Sequence, residues 1–371
     1  MKLICQRSDL ATAFQTVSGV VPTRTPKAIL QNVKIEAQSG MVTLIGTDQE
    51  VGIRYRIAEA DVQEPGELLL PTSRTLAILR ELHGETISLE SDEETIWLRG
   101  ERAEYKLSSG DPAEFPVVSD FQEENYHLIS PVILKQMIRR TLFATDTEST
   151  RYALGGVLID LQGEGLTLAA TDTRRLAVVE GKCTVHGSPE SPATPPVIPS
   201  KAMSLIERSL GEDQSEPVWF ALRNNDVMVK TSHTTLYSRL VEGRFPKYQD
   251  VIPKSHTASI ELLASGFYSA VRQAQIVTNE ESRGVDFEFS AGLLTLRSQA
   301  AEVGQSKVEL PIGYDGPDLT ITFDPRYVAE FLKVLEPEQQ VRLELIDSES
   351  AAVFRTGDGY VYIIMPLSRD R

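Results

Sequence analysis

The sequence predicts an α+β protein made of three similar domains, each with two helices packed on antiparallel sheets. Three observations predict it: a threefold internal repeat, short alternating strands that outnumber the helices, and turn-forming residues between paired strands. At 371 residues the chain is long enough for two to four domains of ordinary size. Its 41 % apolar and 24 % charged residues are ordinary for a soluble globular chain.

The first repeat opens with SDLATAFQTVSGVV from Ser8, where Leu10, Phe14, Val17 and Val21 recur at helical spacing. The strand NVKIEA, a turn at Ser39-Gly40 and the run MVTLIGTDQEVGIRYRI come next. The second repeat starts at Ser130 with SPVILKQMIRRTLFAT, then GGVLIDLQ, a hairpin turn at Gly163-Glu164-Gly165 and LTLAATDTRRLAVVE. The third starts at Leu262 with LLASGFYSAVRQAQIV, then GVDFEFS, a turn at Ala291-Gly292 and LLTLRSQAAEVGQSKVEL. Thr43-Leu44, Thr167-Leu168 and Thr295-Leu296 fall at equivalent places, as do Val33, Val157 and Val285.

Each repeat has a second half of the same kind. A short strand (GELLLP, PPVIPS, LTITFD) leads to a helix beginning near Ser73, Ser200 or Asp324, residues that suit N-caps. A strand pair comes after it: TISLE with TIWLRG, VWFALR with DVMVKT, VRLELID with AAVFRT. Phe115-Pro116, Phe245-Pro246 and Met365-Pro366 close the units. The expected domains are 1–125, 126–254 and 255–371.

The chain carries a net charge of -16, which alone argues against a protein coated in nucleic acid. The distribution says more. The expected helices, 7–20, 73–82, 130–143, 200–210, 262–275 and 324–335, hold eleven basic and five acidic residues, net +6, which leaves -22 on the rest. Solvated helix faces explain this blandly. A sharper reading lines one common surface with all six helices. If two copies paired, twelve helices spaced by roughly 9–10 Å would enclose a hole of roughly 25 Å. That hole would admit a duplex, and its wall would be positive.

Other chemistry is poorly supported. Only two cysteines occur, Cys5 and Cys183, far apart in sequence, which excludes a disulfide framework or zinc cluster and suits a reducing cytoplasm. The five histidines show no metal-ligand spacing, and no phosphate-loop motif is present. Asp48 and Asp172 occupy equivalent repeat positions, which favours a shared turn role over a catalytic pair. MKLICQRSDL lacks the apolar stretch of a signal peptide, and no apolar run is long enough to span a bilayer. No catalytic residue, metal or cofactor is expected.

MKLICQRSDL, Arg24 ahead of PKAILQNV, RYALGGVLID, LTLAATDTRRLAVVE, VEGRFPKYQDVIP and the terminal VYIIMPLSR stand in one order across all three repeats. In these segments the chain resembles the bacterial DNA polymerase III beta subunits, the sliding clamps. The resemblance implies a DNA clamp fold and a head-to-tail homodimeric ring that encircles duplex DNA without sequence preference. It implies a non-catalytic, cytoplasmic processivity factor. The partners would be the catalytic subunit of DNA polymerase III, an ATP-driven clamp loader, and other polymerases and repair proteins with clamp-binding motifs; no membrane is involved. A scaffold or carbohydrate-active repeat protein is the alternative class, and the basic helices speak against it.

The resemblance also implies three sites. DNA contacts would include Arg24, Tyr152 and Lys201; Arg139 and Arg140 are added from the helix charge. A peptide groove would be formed by Leu154, Thr171, Arg175, Leu176, Pro246, Val251, Tyr327, Ile363, Met365, Pro366 and Leu367. The ring-closing interface would set Tyr105 and Leu107 against Ile276 and Val277 of the partner copy. The chain departs from the family pattern at Glu148-Ser149-Thr150, Thr173-Arg174, Asp250 and Ser282, and its SQAAEVGQSK segment matches the family's interface charges poorly.

Overall fold

The computed structural model describes the chain except for residues 93–94, 147, 149–151, 190–191, 193, 212–215, 280–282, 302 and 368–371. Among the described residues six α-helices occur: α1 (Arg7–Ser18), α2 (Thr72–Glu81), α3 (Pro131–Leu142), α4 (Ser200–Ser209), α5 (Ala264–Ala274) and α6 (Pro325–Lys333). Their ends lie within two residues of the expected ones. On α1 the buried stripe is Leu10, Ala13, Phe14 and Val17, one face of a 3.6-residue period. None of these helices is long and apolar enough to cross a membrane.

Of the three expected caps, only Asp324 acts as one, accepting from Arg326 N at 3.0 Å. Helix α2 starts at Thr72 after Pro71, so Ser73 lies inside its first turn. Ser200 is the first residue of α4, and its hydroxyl donates to the Gly155 carbonyl at 2.6 Å instead. The turns hold as expected: Ser39 and Gly40 both take left-handed φ values, 51° and 81°, and Gly163 turns the hairpin at φ 59°.

Contacts divide the chain into two compact units. The first comprises Met1–Leu134, Cys183–Pro192 and Lys201–Leu240. It holds a five-stranded antiparallel sheet in the order Asp61–Glu64, Lys2–Gln6, Thr86–Ser91, Thr95–Arg99, Glu104–Ser108. Its second sheet has nine strands, and at its centre Thr234–Arg239 pairs with Val51–Ile57. The second unit comprises Lys135–Lys182, Ala193–Ser200 and Val241–Arg371. It holds an eight-stranded sheet, in which Arg175–Lys182 pairs with Tyr360–Ile364, and a four-stranded sheet. The latter runs Gly304–Pro311, Leu293–Ala300, Val285–Ser290, Leu319–Phe323.

The expected domain boundaries track the sequence repeat, whereas the compact units track the shared sheets. One repeat hands a strand to the next, and hydrogen-bonded ladders cross the repeat borders. Aromatic packing dominates the second unit's core: Phe331 stacks on Tyr362 with centroids 4.8 Å apart, and Phe267 meets Phe287 edge-on at 6.2 Å. Cys5 and Cys183 are both buried; burial pushes the Cys5 thiol up to about 12, so it is an unreactive core residue.

Candidate functional site: helix cations, an apolar groove and two open strand edges

The helix cations reach solvent with few exceptions. Arg74, Arg80, Arg139, Lys201, Arg208, Arg272, Arg326 and Lys333 are exposed, and Arg7 and Lys135 are half-buried. Arg24 is exposed in the loop between α1 and the short turn Ala28–Gln31. The Lys201 ammonium is held by Asp48 and by the Val20 carbonyl at 3.1 Å. Tyr152 lies on the turn Tyr152–Leu154, and its side chain is outside the described residues, as are Ser149 and Thr150.

Arg140 departs from the expectation that it faces DNA. Consecutive helix residues point about 100° apart, so Arg139 and Arg140 cannot share one face. Arg139 turns to solvent, whereas Arg140 is only 3 % exposed. Its Nη1 lies 2.9 Å from Asp358 Oδ2 and its guanidinium stacks 5.0 Å from the Tyr360 ring centroid. The Tyr360 hydroxyl donates back to the Arg140 carbonyl at 2.7 Å. Burial works to raise the Asp358 carboxyl, but Thr356 and Arg140 hold it below its ordinary range. Arg140 is a buried pin of the second unit and not a phosphate contact.

Within the second unit a groove of about 320 Å³ opens beside the turn at Thr171–Arg175. Of the expected groove residues, Thr171, Arg175, Leu176, Pro246, Val251, Ile363 and Met365 line it. Its floor is apolar: Leu176 and Ile363 are paired directly across neighbouring strands and belong to a buried cluster with Leu158 and Val178. Its rim leaves Val251 60 % and Met365 47 % exposed, an arrangement suited to an apolar anchor from outside.

Four expected residues do not line the groove. Leu154 is buried core. Tyr327 lies beneath Arg175, its ring centroid 4.4 Å from the guanidinium carbon. Pro366 and Leu367 are not among the lining residues, and Leu367 N donates to the Thr322 carbonyl at 2.8 Å. Sequence reasoning misses Tyr248 as a lining residue, although it stands two residues beyond Pro246 in VEGRFPKYQDVIP. Thr173 and Arg174, two of the departures from the family pattern, also line the groove. Asp250 is exposed on the turn Tyr248–Val251, and Ser282 lies outside the described residues.

Arg175 organises one wall. It is 8 % exposed, donates from Nε to Asp172 Oδ2 at 2.9 Å and from Nη2 to the Phe143 carbonyl at 2.6 Å, and pairs with Glu330. Burial would lower its pKa, but Tyr362 and Glu330 outweigh that and raise it. Asp172 Oδ1 meanwhile accepts from Arg174 N and Arg175 N, both at 3.0 Å, the turn role expected of it.

One expected interface pair lies on a sheet edge and the other on a turn. Glu104–Ser108 is the edge strand of the five-stranded sheet, with Tyr105 and Leu107 half-buried on one face. Gly304–Pro311 is the edge strand of the four-stranded sheet. Ile276, 75 % exposed, and half-buried Val277 lie on the turn Gln275–Val277, in the same compact unit as that second edge.

Repeated antiparallel modules that share sheets, with basic helices and an apolar slot, define a DNA clamp fold. Models of the N-terminal, central and C-terminal domains of the DNA polymerase III beta subunit match residues 1–119, 129–247 and 249–368. The beta sliding clamps of Chlamydia muridarum and Escherichia coli K12 are each 30 % identical over 99 % of this chain, and the matches span 99 % and 100 % of those proteins. A crystal structure of the DNA polymerase III beta subunit from Pseudomonas aeruginosa, 30 % identical, superposes with a TM-score of 0.89 over 99 % of this chain and all of that one. The Bacillus subtilis DNA polymerase sliding clamp, 26 % identical, superposes at 0.90 over 99 % of each chain. The chain belongs to the DNA polymerase III beta subunit family, the sliding clamps.

Proposed function

We propose that this sliding clamp works as a homodimeric ring that encircles duplex DNA and tethers a replicative polymerase through the Leu176–Ile363 groove. The observation that carries this reading is the exposure of cations on five of the six helices of a chain with net charge -16. Such a surface attracts phosphates loosely and without base readout, because scattered lysines and arginines reach backbone oxygens and not paired base edges. Weak, salt-sensitive contacts cannot hold an acidic protein on DNA by affinity, so retention comes from closure. Arg24, Arg139, Lys201 and Tyr152 are the proposed DNA contacts. Polymerase and clamp-loader segments with apolar anchors are the proposed groove ligands, and the clamp contributes no chemistry of its own.

The test loads the protein onto nicked circular duplex with a clamp loader and ATP. It should stay bound through a high-salt wash and leave when a restriction enzyme linearises the circle. Equal loss from circles and linear DNA would refute encirclement. In the same preparation, Met365→Ser should weaken binding of an apolar-anchored peptide about tenfold while leaving retention on circles intact.

A further inference from the structure

Two strand junctions between repeats have the same geometry, and a third is left open. In the first, Val51–Ile57 pairs with Thr234–Arg239, with Arg54 opposite Thr235. Arg239 N donates to the Glu50 carbonyl at 3.0 Å at one end, and Arg56 N to the His233 carbonyl at 2.8 Å at the other. In the second, Arg175–Lys182 pairs with Tyr360–Ile364, with Val178 opposite Val361. Met365 N donates to the Arg174 carbonyl at 2.8 Å, and Glu180 N to the Gly359 carbonyl at 3.0 Å, at the corresponding ends.

The third repeat and the first repeat hold the unused halves. Leu44, Leu168 and Leu296 are equivalent, and face Tyr55, Val179 and Val308 across their hairpins. The residues just before those, Arg54, Val178 and Lys307, are therefore equivalent too. On the other side, Leu98, Val229 and Phe354 each precede a basic residue and face Tyr105, Leu236 and Tyr362. The residues before those are Glu104, Thr235 and Val361. The open edges Gly304–Pro311 and Glu104–Ser108 are the missing pair of the same design.

Resting on the ring reading, we infer that these edges pair between two copies of this chain in one register, with Lys307 of one opposite Glu104 of the other. The flanking bonds of the two closed junctions then set Glu309 opposite Arg102. Charge selects this register independently. A slip of two residues, the smallest that keeps each side chain on its face, sets Lys307 against Lys106 and Glu309 against Glu104; the opposite slip sets Lys307 against Arg102. The inferred register also matches burial, with exposed Glu104 and Lys106 opposite exposed Lys307 and Gln305. Within one copy Glu104 pairs with Arg99 and Lys307 with Glu309, so ring closure exchanges partners.

The test is a charge swap read by sedimentation equilibrium. Glu104→Lys and Lys307→Glu should each raise the dimer dissociation constant about tenfold, and the double variant should return it to within about threefold of the starting value. Crosslinking fixes the register whatever the charges contribute. The bond pattern of the closed junctions makes the position of Ala103 and Val308 a non-hydrogen-bonded pair, the close kind that admits a disulfide. Ala103→Cys with Val308→Cys should give a covalent dimer under mild oxidation, and Ala103→Cys with Ser306→Cys should not. A dimer joined through the slipped pair overturns the register alone, and an unrescued double swap overturns the charge pairing of Lys307 with Glu104. An unmodified chain that sediments as a monomer throughout overturns the ring reading, and the register with it.

Discussion

The turns at Thr47–Val51 and Thr171–Arg175 share one backbone and serve opposite ends. In each, the threonine hydroxyl bonds the carbonyl four residues on, at 2.7 and 2.6 Å. In each, the aspartate takes two backbone amides, and the next residue is left-handed, Gln49 at φ 80° and Thr173 at φ 75°. The two turns differ in the residue beyond them. Gly52 lies under Val118 of its own chain, which fills the space above it. Leu176, the equivalent residue, lines an open groove. The spare aspartate oxygen binds Lys201 in the first case and Arg175 in the second. A repeat therefore preserves the turn because the turn is local, while function depends on what covers it.

The largest expected effect comes from making the second turn's flank like the first. Val51 is the buried counterpart of Arg175. Arg175→Val should cost about 3 kcal/mol in urea unfolding, because it leaves the largely buried Asp172 carboxylate without its cationic partner. The figure sits at the low end of the range because Glu330, its other partner, is nearly half exposed. Glu330→Gln should cost under about 1 kcal/mol for the same reason. A loss of similar size in both variants would mean that the Glu330 pair, and not the buried Asp172 pair, organises the wall.

A smaller effect is expected from filling the closed site. A Cβ on Gly52 would lie 2.6 Å from Val118 Cγ1, so Gly52→Leu should destabilise by about 1–3 kcal/mol. Adding Val118→Ala should return part of that and bare an apolar slot. Crystals of the double variant soaked with an apolar-anchored peptide would then show density at residue 52. Full additivity of the two costs in unfolding would argue that Val118 is not the lid.

The repeat, the six helices and most of the groove are legible in the sequence, because helical period, strand alternation and turn residues are local signals. Arg140 is misplaced by sequence reasoning because net helix charge ignores which face each residue takes; the buried stripe through Leu134 and Met137 predicts its inward turn. Leu154, Tyr327, Pro366 and Leu367 stand off the groove's lining, a placement set by long-range packing that no spacing records. Tyr248 escapes because its exposure depends on the short turn Tyr248–Val251. The sharing of strands between repeats is also illegible, since sheet pairing at long sequence separation leaves no period.

The left-handed residues offer the finest comparison. A β-branched side chain at positive φ is strained more than an unbranched one, since its second branch crowds the backbone. Thr173→Gly should therefore stabilise the second unit by about 1 kcal/mol, offset by the chain entropy that glycine adds to the unfolded state. Gln49→Gly should gain less, because Gln49 carries less strain and accepts a hydrogen bond from Lys27 at 3.0 Å. The measurement is the shift in urea midpoint for each variant. If Gln49→Gly gains as much as Thr173→Gly, strain at the groove rim is no greater than at the filled site. Thr173 would then be retained for its contact with a docked peptide, and the peptide's affinity for Thr173→Gly would fall.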